Sequence, residues 1–251
     1  MIGKQYEYEA MATCEKKLWW YKCLHDLTLY KIEEVADADS AILDAGCGTG
    51  GMLSRLQNRG FRNLAGFDLS TDAIDYTVKS GFSKVQLLNI LECDKAFPPR
   101  YFDLIICHDI LCLLDDGEDK QAFANLTSLL KPSGLLIMNL PAGQLFKGTH
   151  DRAVGIKRRY SKERIIRLAS GYGVRIRDIQ YWPFLLSPLI LSLRLSQRCK
   201  LIFNKKKQFK SDVSLPHPLL NNLFYKMTSF ENKVMKFKPW GSSIFVTIEK
   251  I

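Results

Sequence analysis

The segment ILDAGCGTGG, residues 42–51, is the part of this 251-residue chain whose residue types and spacing most directly suggest chemistry. An acidic residue, Asp44, closes a short apolar run, and glycines follow at positions 46, 48, 50 and 51. Glycine lets a backbone turn sharply and come close to a ligand. A helix starting just beyond would aim unpaired N–H groups at an anion. A turn of this kind is a cradle for a nucleotide or a nucleotide-like cofactor. Gly46, Gly48 and Gly51 also satisfy GxGxxG, the dinucleotide spacing, so the glycines alone leave two cofactor classes open. Asp68, about twenty residues on at the end of a second apolar run, suits either class, because its carboxylate can accept from ribose hydroxyls.

Other residues could serve the reaction itself. His108, ending a further apolar run, and His150 are candidate general bases, since imidazole suits proton transfer near neutral pH. His25 and His217 are weaker candidates, and any lone histidine can equally be structural. Arg152, Lys157, Arg158 and Arg159, with Tyr160, could bind a substrate carboxylate or phosphate, or form a solvated basic face. Trp19, Trp20 and Tyr21 could close over a site, or anchor their helix in the core. Seven cysteines, an odd number with no CxxC pair, suggest neither a disulfide framework nor a zinc site, and no metal is expected.

The elements that must position these residues alternate. Residues 6–34 read as helical. Strands are predicted at 41–46, 63–70, 84–90, 102–108, 135–140, 174–182 and 242–251. Helices at 49–60, 70–81, 119–130 and from Ser161 fall between them, and 131–134 forms a turn. Strands alternating with helices imply a mostly parallel sheet with right-handed crossovers. Residues 183–240 are too long for a simple loop and read as a helical insertion, with Lys205, Lys206 and Lys207 solvated within it.

Four ordered segments carry a family resemblance. DAGCGTG resembles motif I of class I S-adenosylmethionine-dependent methyltransferases, and GFDLS (66–70) resembles that family's ribose-binding motif. YFDLIICHDILCLLDD (101–116) and LLKPSGLLIMNLPA (129–142) resemble its fourth-strand and fifth-strand regions. The resemblance implies a Rossmann-like α/β fold: seven strands, mostly parallel with an antiparallel last strand, and helices on both faces. Three parts are expected: a helical lid at 1–40, a cofactor-binding domain at 41–182 and 241–251, and a helical insertion at 183–240 serving as substrate cover or dimer contact.

By position, the resemblance implies that Gly46, Cys47, Gly48 and Gly50 hold the methionine part of S-adenosylmethionine, with Asp44 ordering that end. Asp68 would take the ribose hydroxyls and Leu69 would pack on the adenine. Asn89 and Ile90 would read the adenine edge, and Cys107 and His108 would lie near the transferable methyl. Trp19, Trp20, Tyr21, His150, Arg158, Arg159 and Tyr160 would bound the acceptor. EKKLWWYK (15–22) and THDRAVGIKRRYSKE (149–163) further resemble a bacterial subgroup associated with natural-product or cell-surface polysaccharide assembly. That subgroup commonly has Glu-His where this chain has Cys112-Leu113, and His where it has Ile156.

The resulting expectation is methyl transfer to an O or N atom of a small molecule. An NAD(P)-dependent reductase or epimerase is the alternative, but no YxxxK pair follows the fifth strand. A non-catalytic methyltransferase-like partner protein is another. The formal charge of +10 would suit nucleic acid, anionic membrane or acidic small molecules. Cys107-His108-Asp109-Ile110 replaces the Asn-Pro-Pro-Tyr of nucleic-acid methyltransferases, so no nucleic acid is expected. The apolar run 181–195 is short for a span and carries two prolines, so no transmembrane helix is expected. The cysteines, several of them inside apolar stretches, read as a reducing, cytoplasmic setting. Apolar side chains of residues 183–210, which alternate with Arg194, Arg198 and Lys200, are expected to bury against the main domain or a second copy in a homodimer, with weak contact to an anionic membrane surface as the other reading.

Overall fold

A computed structural model describes residues 5–203 and 214–251; Lys205, Lys206 and Lys207 lie outside the described residues. The chain opens with helices α1 (Gln5–Cys14) and α2 (Trp19–Glu33) and then alternates. Strand β1 (Ile42–Ala45) leads into α3 (Gly51–Asn58), β2 (Leu64–Asp68) into α4 (Thr71–Lys79), and β3 (Val85–Leu87) into the short α5 (Cys93–Ala96). Strand β4 (Phe102–His108), α6 (Glu118–Leu129) and β5 (Leu130–Pro141) follow, then α7 (Thr149–Val154) and α8 (Lys162–Ala169). Strand β6 (Val174–Trp182), α9 (Ser187–Phe203), α10 (Pro218–Val234) and β7 (Ser243–Lys250) complete the chain.

The seven strands form one sheet in the order β3-β2-β1-β4-β5-β7-β6. Strands β1 to β5 pair in parallel, and β7 runs antiparallel to both β5 and β6. This is the expected Rossmann-like arrangement. The order reverses between β1 and β4, and in open α/β sheets ligands bind in the crevice beyond the carboxyl ends of strands at such a point.

Both faces of the sheet are covered. Leu24, Leu29 and Ile32 of α2 and Leu53 and Leu56 of α3 pack on one face with Leu104 and Ile106 of β4. Phe123 and Leu126 of α6 and Ile165 of α8 pack on the other with Ile105 and Cys107. Side chains alternate along a strand. Cys107 is therefore carried into the α6 face, while His108 turns to the α2 face.

Local signals explain most boundaries. Ser70 accepts from the Ala73 amide and caps α4, and Ser161 accepts from Arg164 and caps α8, both as predicted. The helical stretch 6–34 is divided in two, because Leu18 is extended (φ −68°, ψ 131°) and Glu15 is drawn off toward the glycine loop. One expectation changes. The 131–134 turn is a looped-out stretch within β5: Phe102 pairs with Leu130 but Leu104 pairs with Leu135, and Ser133 takes φ 63°. No helix among the described residues is long and apolar enough to cross a membrane.

Candidate active site

At the carboxyl ends of β1, β2 and β4 lies a cavity of about 1210 Å³, larger than the roughly 300–1,000 Å³ usual for small-molecule sites. It has room for two ligands side by side. The glycine loop forms its floor. Gly46 and Gly48 take positive φ (83° and 53°), a region that L side chains rarely adopt. Both donate their amides locally, Gly46 to Phe67 O and Gly48 to Asp68 Oδ2, so the loop is fixed to the end of β2. Thr77 of α4 ties it from outside by donating to Gly48 O at 3.0 Å.

Two carboxylates from adjacent strands face this floor. Asp68 accepts from Gly48 N through Oδ2 and from Ser70 N through Oδ1, each at 3.0 Å. Those bonds fix the carboxylate plane and leave lone pairs for a diol. Asp44 is buried, and its Oδ2 has no hydrogen-bond partner among the described residues. Burial, with Glu15 and Asp68 nearby, pushes Asp44 up to about 8. An unsatisfied buried acceptor in a cavity wall is a binding feature, because it is costly until a donor arrives. The ammonium of a bound methionine moiety is such a donor.

Further along, Leu69 is 70% exposed over the cavity. Asn89 and Ile90 also line it, but the Asn89 side-chain oxygen caps the following turn by accepting from Leu91 N. Its amide N–H groups are what remain for a ligand. Cys47 lines the cavity; Gly50 does not, since it serves the turn into α3 at φ 82° against Thr77. Cys107 does not either, contrary to expectation, because strand alternation buries it in the core.

Glu15 is a site residue that sequence reasoning missed. Its Oε2 accepts from Thr49 Oγ1 at 2.5 Å and from Gly51 N at 3.1 Å, seating a carboxylate on the glycine loop at the start of α3. Burial pushes it up to about 7 against the lowering effect of those bonds. The contact joins residues 36 apart and has no local pattern to announce it.

Asp109, directly after β4, was also missed. It sits at φ 57°, a left-handed conformation that Asp tolerates better than most residues, and it lines the cavity. Asn139 of β5 donates its Nδ2 to both Asp109 oxygens at 3.1 and 2.9 Å. Trp182 in turn donates Nε1–H to Asn139 Oδ1 at 2.8 Å, and stacks on Trp20 of α2 with ring centroids 5.5 Å apart. Burial outweighs those hydrogen bonds and the nearby Arg159, and holds Asp109 at about 7.

His108 differs. Thr28 gives its hydroxyl proton to Leu24 O at 2.9 Å, so the 3.1 Å contact between Thr28 Oγ1 and His108 Nε2 is donated by the imidazole. Burial lowers His108 to about 3. It is a neutral ring at physiological pH with Nε2 committed. His25 of α2 is also held at about 3, by burial and by His108 beside it.

The cavity is also lined by Trp19, Trp20 and Tyr21 of α2, His150 of α7, and Leu186, Leu189 and Leu193 at the start of the insertion. The basic run is mostly not available to a substrate. Arg158 is buried against Asp119 and Asp116 and donates to Leu114 O, away from the main cavity. Tyr160 is buried, with its hydroxyl donated toward Leu111 O and Asp119. Arg159 reaches the cavity wall but is spent in a bidentate pair with Asp151, at 2.7 and 2.8 Å, and on Ala142 O. These three corrections share one cause: the segment is pinned across the ends of β5 and α6, and the pinning consumes its polar groups. Arg159→Ala is therefore expected to destabilise the fold by about 3–5 kcal/mol, because Asp151 would be left buried without its partner. Thermal unfolding tests this; an unchanged midpoint would mean that Arg159 is free to serve the substrate after all.

A glycine loop after β1, an acid ending β2 and an antiparallel β7 inserted between β5 and β6 together make up the class I methyltransferase arrangement. Residues 42–134 match the methyltransferase-domain family. The fold is that of the class I S-adenosylmethionine-dependent methyltransferases. A protein of Geobacillus sp. (strain WCH70) is 30% identical over 103 residues, 39% of this chain and 41% of that one. A ubiquinone biosynthesis O-methyltransferase of Saccharophagus degradans is 27% identical over 163 residues, 53% of this chain and 68% of that one. The match thus spans less than half of the first relative's length and about two thirds of the second's. Among solved structures, Haemonchus contortus phosphoethanolamine N-methyltransferase 2 in complex with S-adenosylmethionine aligns with a TM-score of 0.62 at 17% identity, over 98% of this chain and 57% of that one.

Proposed function

We propose that the protein transfers a methyl group from S-adenosylmethionine to an O or N atom of a small molecule, of the natural-product or cell-surface-glycan intermediate class. The observation that carries this reading is the polar triad around the glycine loop: Asp44 with an unsatisfied Oδ2, Asp68 oriented by two amides, and Glu15 seated on Thr49 and Gly51. These residues fit the cofactor's polar groups. Asp44 and Glu15 would hold its ammonium end, Asp68 would take the ribose hydroxyls, and Leu69, Asn89 and Ile90 would enclose the adenine. When bound, S-adenosylmethionine supplies an electrophilic methyl on a sulfonium.

The chain's own residues then bind and orient the acceptor. Trp19, Trp20 and Tyr21 with Leu186, Leu189 and Leu193 form an apolar wall that excludes water and holds the nucleophile in line. His150 lies on the rim of that wall. Asp109 takes the acceptor's proton. Its carboxylate faces the same cavity, is held by Asn139, and has the affinity for a proton that a general base near neutral pH requires. Asn139 is the positioning residue beside it. The N-terminal helices act as a lid through Glu15 and Trp20, and α9 covers the acceptor.

Calorimetric titration tests the cofactor assignment. S-adenosylmethionine and S-adenosylhomocysteine are expected to bind and NADH is not. Asp68→Ala should weaken both adenosyl ligands by about 2–3 kcal/mol, roughly 30- to 150-fold, because two ribose hydroxyls lose a charged acceptor. Tight NADH binding, or unchanged affinity in a folded Asp68→Ala protein, would overturn it.

A further inference from the structure

Helix α10 carries apolar side chains on its outward face as well as toward the body, where Phe224 meets Trp19 and Tyr225 packs on the core. The face it turns to the body is joined by polar contacts. Asn221 accepts from Trp19 N and donates to Lys17 O, Tyr225 donates to Asp26, and buried Glu231 accepts from the amides of Phe184 and Leu185. The face it turns outward is apolar. Leu219, Leu223, Phe230 and Val234 recur at helical spacing and are each at least half exposed. Phe237 and Trp240, just beyond the helix, are exposed as well. Single exposed apolar residues are ordinary, but a continuous stripe is not.

Charge says what covers the stripe. Residues 183–240 hold eleven lysines and arginines against two acidic residues, so nine of the ten net positive charges of the chain lie in this insertion. On α10 itself, Lys226 and Lys233 are exposed along one edge of the apolar stripe, and Lys236 follows it. A two-fold contact between copies would bring this patch against itself and oppose like charges. An apolar stripe edged by lysines, with an exposed tryptophan at its end, instead matches a helix lying in the interface of an anionic bilayer. We propose that the outward face of α10, with Phe237 and Trp240, docks on an anionic membrane surface. Leu189 and Leu193 of α9, which line the active-site cavity and are about half exposed, belong to the same insertion. Docking is independent of methyl transfer.

Flotation of the full chain with vesicles tests this. The protein should float with vesicles of phosphatidylcholine mixed with phosphatidylglycerol, and not with phosphatidylcholine alone, and added salt should release it. Leu223→Gln with Phe230→Gln should weaken binding by roughly tenfold or more. Lys226→Ala and Lys233→Ala should each cost on the order of fivefold. All four positions are exposed, so the variants keep the wild-type circular dichroism and unfolding midpoint. Three results would overturn the proposal: no flotation with either vesicle, equal flotation with both, or a dimer in sedimentation that the Leu223 and Phe230 changes dissociate while vesicles fail to bind.

Discussion

Asp109→Asn is expected to reduce turnover by about 10²- to 10⁴-fold while leaving cofactor affinity within a few-fold, the range for removing a general base. Asparagine keeps the size of the side chain and can still accept one bond from Asn139. It cannot take a proton. His108→Ala, by contrast, should cost less than about tenfold, because Nε2 is already committed to Thr28 and the ring is a poor base. The pH profile separates the two further. The active form of Asp109 is the carboxylate, and the group is held at about 7. Turnover should therefore fall as pH drops through 7, about tenfold for each unit below it, and the Asp109→Asn protein should lose that limb. Asn139→Ala removes bonds that favour the carboxylate, so the limb should move to higher pH. A reading without turnover is also available. Trp182 is bonded through Asn139 to this carboxylate, so its fluorescence should titrate near pH 7 in the wild type and not in Asp109→Asn. A flat fluorescence titration, or a larger loss in His108→Ala than in Asp109→Asn, would remove Asp109 from the reaction.

What the sequence disclosed and what it hid differ by range. The glycine loop, the acid ending β2 and the strand-helix alternation are local patterns, and they appear in the structure at the expected positions. Ser70 and Ser161 could be recognised as caps because a cap is a relation between residues three apart. Glu15 could not be recognised, because its partners are Thr49 and Gly51. Arg158, Arg159 and Tyr160 look like a substrate clamp in sequence, since nothing nearby reveals that Asp119 and Asp151 will consume them. Cys107 and His108 were both assigned to the site, although neighbouring residues of a strand point to opposite faces. That rule was available in the sequence and would have separated them. Asp109 had a visible signal as well, an acid at the exact exit of a predicted strand, but a histidine beside it is the more familiar base. The outward stripe of α10 is different again. An apolar helical spacing predicts a face, and only the packing of Asn221, Tyr225 and Glu231 decides that it is the other face that meets the body.

Cofactor binding should strengthen as pH rises from about 6 to 8, with proton release on binding. The cause is the pair of acids that faces the glycine loop. Asp44 is held at about 8 and Glu15 at about 7, both chiefly by burial, so each is neutral over part of the physiological range. An incoming ammonium and sulfonium favour the ionised forms and draw both pKa values down. Linkage then requires protons to leave as the ligand enters. Affinity should gain up to about tenfold per pH unit for each proton released, and should level off above 8. The same acids act on folding with the opposite sign. In the unfolded chain each carboxyl ionises near 4, whereas folded Asp44 keeps its proton to about 8. The folded state binds the extra proton, so the ligand-free protein should lose stability as pH rises between those values. Asp44→Asn replaces the protonated acid by a neutral group of the same shape. At pH 8 it should raise the stability of the ligand-free protein by at least about 1 kcal/mol and abolish much of the pH dependence of S-adenosylmethionine binding. Calorimetry in two buffers of different ionisation enthalpy measures the proton count, and thermal unfolding at pH 6 and 8 measures the linked stability. If binding heats are the same in both buffers and Asp44→Asn is no more stable at pH 8, Asp44 is ionised in the free protein and the ammonium meets a charge already in place.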